Sequence, residues 1–419
     1  MQAPRKIKKK AVRFLRWTEK YTKTDMVYLT KNGFWVSVGY SIEIVAGLIV
    51  TVVLANLIPK SVLGTYQFVL STVLILGAFT LTGINSALLR AVAQGHDGLL
   101  WNSIKIKLKW NTGIVITSGI VAIYYFFIGN SVLGTCFLIA GSTAPLIESF
   151  GLYQFYLQGK QQFRLNAFIA LIRRFLPTLG IVSAAFITTN PVLLILTYYV
   201  TNLISITIAL RLTLNLDKSF NPVNTNIVTY SKHLSVMNSF GKVANHIDKV
   251  LIFNFLGPVA VASFTIAQLP TKYTSNGINL LSSLILPKLA TRDFPTLKNT
   301  LPRKVLLFFI LTSFVVFGYI LFAPTVFKII FPAYPESVLV SQILAVALLF
   351  LPRSAFQDTL VAHAKTTPLY ISRISIPTLK IVLLLILLPI YGIWGAVAAI
   401  LISTCIAAIL SSFLFYRTE

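Results

Sequence analysis

Apolar runs of about twenty residues recur along the whole chain, and they leave few architectures open. They fall at 33–57, 64–89, 110–129, 132–157, 165–187, 191–212, 234–256, 259–286, 304–323, 337–362, 368–388 and 392–415. A helix rising 1.5 Å per residue needs about that length to cross a hydrocarbon core roughly 30 Å thick. The runs are continuous and do not alternate with period two, which argues against a barrel. Of 419 residues, 56% are hydrophobic and only 11% are charged, against about 25% charged in a soluble domain. So much apolar surface exceeds what one soluble core can bury. The expectation is an all-α integral membrane protein with about 12 transmembrane helices.

Short turns separate the runs, such as Ile58-Pro59-Lys60-Ser61, Asn190-Pro191 and Gly257-Pro258. The charges on these connections give the orientation. Lys and Arg number 36 against 11 Asp and Glu, a net charge of +25. Such an excess often marks a nucleic-acid partner, but here the basic residues lie between apolar spans and on no soluble domain. They crowd onto alternate connections, while the others carry only Lys60 and Lys328. That is the positive-inside pattern, and an even number of spans then places both termini in the cytoplasm. The first 31 residues hold ten Lys or Arg and no apolar h-region, so they do not read as a cleavable signal peptide. Ile7, Ala11, Phe14 and Leu15 recur there at helical spacing. Docking on anionic lipid is one reading of this arm, and a plain positive-inside anchor is the simpler one. Cys136 and Cys405 sit in separate apolar runs, with no pattern of a disulfide or metal site.

The longest connection, 213–233, is polar and divides the chain six spans from six. The expected organisation is a basic cytoplasmic arm at 1–31, a first six-helix bundle at 32–212, a cytoplasmic linker at 213–233 and a second six-helix bundle at 234–419. Gly64-Thr65-Tyr66 near the end of the first span has a counterpart in Ala262-Ser263-Phe264 near the end of the seventh. This suggests two parallel repeats about an axis along the membrane normal.

Several local sequences resemble one family. They are Asn32-Gly33-Phe34-Trp35, Gly64-Thr65-Tyr66, Gly83 through Arg90, Asp248 through Ile252, Phe255-Leu256-Gly257, and Gly392-Ile393-Trp394-Gly395-Ala396. From about Asn32 to Tyr416 the chain resembles the polysaccharide-unit flippases of the multidrug/oligosaccharidyl-lipid/polysaccharide exporter (MOP) superfamily. The resemblance implies a MATE-like fold of two six-helix bundles around a central cavity, in the bacterial inner membrane. It implies alternating access and a cargo of undecaprenyl-pyrophosphate-linked oligosaccharide for O-antigen, lipopolysaccharide, capsule or exopolysaccharide synthesis. Implied partners are membrane lipids and the polymerase and chain-length machinery of the same pathway. The implied activity is transport and not enzymatic chemistry, with no cofactor beyond coupling H⁺ or Na⁺.

Ionisable groups at membrane depth are expensive, so they mark function or pairing. The acids are Glu43, Glu148, Asp248 and Asp358. The bases are Arg173, Arg174, Lys242, Lys249, Lys272, Arg353, Arg373 and Lys380. Lys242, His246 and Lys249 fall on one face of the seventh span, beside a stripe of Asn238, Asn245 and Asp248. A pyrophosphate suits the planar fork of Arg and the point charge of Lys. Arg173, Arg174, Lys249, Arg353 and Lys380 are the expected pyrophosphate ligands, and Tyr40, Tyr153, Tyr156, Gln154 and Gln158 could wall a sugar. Glu43, the deepest acid, and Asp248, which matches an acid of the family pattern, are the expected coupling residues. The bland alternative is that these acids pair with some of the cations and lock helices together. The bases outnumber the acids, so pairing alone does not satisfy them all.

Other functions fit less well. A drug antiporter of the same superfamily would prefer an acidic cavity. A membrane glycosyltransferase or polymerase would need sizeable outer loops with catalytic groups, and Glu336 is the only acid in those loops. A channel would show a selectivity motif. The chain has no Walker-type loop for ATP, and His96, His233, His246 and His363 do not cluster at metal-ligand spacing.

Overall fold

The computed structural model describes residues 26–96, 98–216, 227–275, 277, 289, 293–363 and 365–418. Expectations for most of the basic arm, for 217–226 of the linker and for 278–286 of the eighth span lie outside these residues. Among the described residues every regular element is helical. Among them, ten helical stretches, counted through short breaks, are long and apolar enough to cross a membrane, and the chain is an all-α, multi-pass membrane protein.

The first half comprises α1 (Met26–Leu57), α2 (Lys60–Leu76), α3 (Ile84–Ala93), α4 (Leu99–Phe127), α5 (Ser131–Phe150), α6 (Leu152–Gly159), α7 (Phe163–Ile187) and α8 (Pro191–Leu216). The second comprises α9 (Ile227–Leu256), α10 (Pro258–Ala267), α11 (Phe294–Ile330), α12 (Ser337–Ala345), α13 (Ser354–Ala362), α14 (Thr366–Tyr391) and α15 (Ile393–Arg417). Helix starts follow local chemistry. The Asn130 side chain accepts from the Leu133 amide at 3.1 Å and caps α5. Asn190 does the same for Val192 at 2.9 Å, ahead of Pro191 at the start of α8. Between α9 and α10 the chain reverses at Gly257, whose φ of +84° favours glycine.

Four of the expected spans are broken among the described residues, a feature their hydropathy does not reveal, and one of these, the eighth, divides at Gln268 after α10. The second passes from α2 through a 3₁₀ turn, Gly77–Phe79, and a non-helical step before α3. The fourth divides at Gly151 into α5 and α6. The tenth is α12, a 3₁₀ segment Val346–Arg353 containing Pro352, and α13. The α9 helix is 30 residues long and stands outside the apolar set, with Lys242, Asp248 and Lys249 in its second half. The α11 helix runs 37 residues, about 55 Å at 1.5 Å per residue, well beyond a bilayer core.

Within the first half α1 lies along α7, α4 along α5, and α5 and α7 along α8. In the second, α9 lies along α14 and α14 along α15. The halves meet where α2 packs against both α9 and α10. The end bearing the loops at 58–59, 128–130, 188–190, 257 and 331–336 is termed the outer end, following the loop charges. There the seam is dry and aromatic. Phe68 of α2 stacks on Phe253 of α9 at 3.8 Å and meets Phe137 edge-on. A Cβ on Gly64 would overlap the Pro258 carbonyl, so the glycine lets α2 and α10 touch backbone to backbone. Polar contacts close the rim: Lys60 Nζ lies 2.6 Å from a Glu336 carboxylate oxygen, Ser263 donates to Glu336 at 2.7 Å, and Asn56 donates to the Ile330 carbonyl at 2.9 Å. Burial pushes the Glu336 carboxyl up, but hydrogen bonds from Lys60 and Ser263 outweigh it and hold the group below the usual carboxylate range. Away from the seam, large apolar side chains such as Phe127, Phe186, Ile187 and Ile329 face outward, as a lipid solvent requires.

Candidate functional site: a cationic cavity between the halves

The seam is lined differently on the other side of that aromatic closure. A cavity of about 520 Å³ opens between the halves, bounded by Thr82, Asn85, Ser86 and Phe155 of the first and by residues of α9, α13 and α14 of the second. Two of the breaks build it. The step after α2 lets Thr82 and the start of α3 face the gap, and the 3₁₀ segment delivers Arg353 with Gln357 one turn later. Irregular backbone at membrane depth is tolerated where it borders a wet cavity. From α9 come Asn238, Lys242 and Asn245, at i, i+4 and i+7 on one face. From α14 come Ser372, Arg373, Ile376 and Pro377. Two contacts hold the seam beside the cavity: the Gly83 amide donates to Ser235 at 2.8 Å, and Ser239 donates to the Ala78 carbonyl at 2.6 Å.

The wall thus carries three cations, Lys242, Arg353 and Arg373, and its described lining includes no acid. Arg353 Nη1 is buried and has no acceptor among the described residues. A buried guanidinium N–H without an acceptor is costly, and an anionic ligand would supply one. Behind the wall, the buried Lys107 donates to Asn85 Oδ1 at 3.0 Å and lies 3.6 Å from Glu148. An ammonium only donates, so the Asn85 carbonyl faces Lys107 and its NH₂ is left for the cavity.

The expected pyrophosphate ligands are divided by the fold. Arg353 lines the cavity. Arg174 pairs with Glu43 at 3.2 Å, and Arg173 donates to Gln154 at 3.4 Å. Lys380 lies 3.8 Å from Asp248 and donates to the Ala244 carbonyl. Lys249 is buried beside Asp248, and its amide donates to that carboxylate at 2.9 Å. Glu43 and Asp248, the expected coupling acids, are therefore each held by a cation. Tyr153 and Tyr156 pack into the first-half core, and Phe155 is the aromatic on the cavity wall.

Two cavity cations, Lys242 and Arg373, stood outside the expected set. A signal for both existed. Lys242 shares a helical face with Asn238 and Asn245. Arg373 lies four residues before Pro377 just as Arg173 lies four before Pro177, so an alignment of the fifth and eleventh spans on their prolines singles it out.

The chain has recognisable relatives. A family profile described as "Polysaccharide biosynthesis protein" matches residues 29–291. Comparison with curated protein sequences gives no match. Among solved structures, the lipid II flippase MurJ in an inward closed conformation is similar with a TM-score of 0.71 and 13% identity, over 90% of this chain and 86% of that one. An inward-facing multidrug resistance MATE family transporter of the MOP superfamily gives 0.69 and 16%, over 89% and 96%. An outward-facing conformation of such a transporter gives 0.65 and 16%, over 93% and 97%. At these identities the likeness establishes the fold alone, which this chain shares with those transporters.

Proposed function

Because the chain belongs to the polysaccharide biosynthesis protein family, we propose that it is a flippase carrying undecaprenyl-pyrophosphate-linked oligosaccharide repeat units across the bacterial inner membrane by alternating access. The observation that carries this reading is the cavity wall: three cations and a row of amides and hydroxyls, set between two halves that are closed at their outer ends. Lys242, Arg353 and Arg373 hold the pyrophosphate, with Arg353 Nη1 receiving a phosphate oxygen as its missing acceptor. Asn85, Asn238, Asn245 and Gln357 meet sugar hydroxyls. The polyprenyl tail stays in lipid.

Export then requires the outer closure to part while the inner side closes. Protonation or ion exchange at Glu43 or Asp248 resets the cycle, and Arg173, Arg174, Lys249 and Lys380 serve the passage of the anion as the halves rearrange. A cationic drug would meet like charge in this cavity, which disfavours the antiporter alternative.

The test is made in the host. Deletion strands lipid-linked repeat units on the cytoplasmic leaflet, and the Lys242→Glu/Arg373→Glu double variant, inserted at normal levels, fails to restore their export. Export at the parental rate by that variant would remove the cavity from the mechanism.

A further inference from the structure

A second cavity, of about 600 Å³, lies away from the first, between α1 and α7. Its deeper walls are apolar: Val38, Ile42, Phe168 and Leu171. Its other end is not. There Arg164 lies over the Trp35 ring with 5.6 Å from guanidinium carbon to ring centre, and Gln162 completes the rim.

Helix lengths fix the level of this rim. Trp35 precedes the outer end of α1, Leu57, by 22 residues, and Arg164 precedes the outer end of α7, Ile187, by 23. At 1.5 Å per residue both lie about 33–35 Å from that end, which is one hydrocarbon thickness. The rim therefore stands at the cytoplasmic headgroup level, where Trp is at home. From Trp35 to Ile42, and from Arg164 to Leu171, the groove runs about 10 Å into the hydrocarbon.

We propose that this groove is a binding site for an anionic glycerophospholipid of the cytoplasmic leaflet. Its phosphate is held by Arg164 and Gln162, and one acyl chain lies along Val38, Ile42 and Leu171. The argument is charge complementarity at a defined depth. An amphiphile with phosphate at the rim and hydrocarbon below matches the groove along its whole length, and stacking on Trp35 presents the Arg fork as one unit. The pyrophosphate cargo fits less well, because the described rim offers a single cation and the walls offer nothing to a sugar.

The test reads retained lipid, not export, so its outcome is separate from that of the flippase reading. Purified, delipidated protein is titrated with phosphatidylglycerol, phosphatidylcholine or undecaprenyl phosphate and weighed by native mass spectrometry. The parent retains phosphatidylglycerol in preference to phosphatidylcholine. Arg164→Gln weakens that preference about tenfold, the scale of one charge-assisted contact. Leu171→Trp, which fills the apolar part from an exposed position on α7, lowers retention of both phospholipids, and Val38→Trp does so from the opposite wall. Parental retention in all three variants overturns the site. Displacement of phosphatidylglycerol by equimolar undecaprenyl phosphate overturns the choice of occupant.

Discussion

Each half of the molecule ties an acid on its first long helix to a base on a later one that lies along it. In the first half Glu43 of α1 meets Arg174 of α7 at 3.2 Å, and in the second Asp248 of α9 meets Lys380 of α14 at 3.8 Å. Their surroundings differ. The Glu43 and Arg174 side chains are 33% and 36% exposed, while those of Asp248 and Lys380 are 3% and 17% exposed. Asp248 also accepts from Gln268 at 3.0 Å and from the Lys249 amide, so each of its oxygens has a hydrogen-bond partner. A buried pair that loses one partner strands a charge in a poor solvent, whereas a half-exposed pair can trade its partner for water. The same connection, repeated, thus gives two devices: the second-half pair fastens α9 to α14, and the first-half pair is the better placed to open and close in a transport cycle.

Four measurements would break or sharpen this contrast. Asp248→Asn leaves Lys380 and Lys249 without their anion and should destabilise the purified protein by roughly 3–5 kcal/mol, read as a large fall in thermal unfolding midpoint. A cost no larger than that of Glu43→Gln would erase the distinction. Asp248→Leu combined with Lys380→Met and Lys249→Met removes all three charges and should recover most of the loss, to within about 1–2 kcal/mol of the parent, since apolar replacement of a buried ionic cluster is tolerated. Glu43→Gln should cost under about 1 kcal/mol, yet slow export and flatten its pH dependence. Stability loss without a change in export would make this pair structural too.

The smallest effect belongs to the exposed rim pair. The Glu336 pKa is lowered from its ordinary value of 4.5 in the folded protein. Its stabilising contribution is therefore present at neutral pH and is lost as the pH falls below 4.5 through the folded value. Glu336→Gln should abolish that part of the acid dependence, a difference of about 0.2–1 kcal/mol for so exposed a pair.

The spans were largely legible in the sequence because lipid is a uniform solvent. Twenty apolar residues between Asn190-Pro191 and a basic loop leave the chain little choice but a crossing helix. The breaks at 77–83, Gly151 and 346–353 were not legible, because a short 3₁₀ step costs no hydrophobicity. Of the three cavity cations, Arg353 belongs to the expected ligand set. Lys242 was visible as part of a polar stripe but ranked below Lys249 and Lys380. The structure draws Lys380 and Lys249 to Asp248 and sets Lys242 on the cavity wall. Arg373, near the cytoplasmic end, reads from sequence as a residue able to snorkel, and only the packing of α14 against α9 turns it toward the gap.

What the sequence determined by itself is the solvent, the helical class and the orientation bias, since each depends on composition summed over a span or a loop. What the tertiary structure decided is which charge meets which. Glu43 could have paired with any deep cation, and the lie of α1 along α7 chose Arg174. Coulomb attraction at membrane depth is strong but short in reach once side chains are fixed. The partner is therefore set by which helices touch and on which face, and that is information no single span contains.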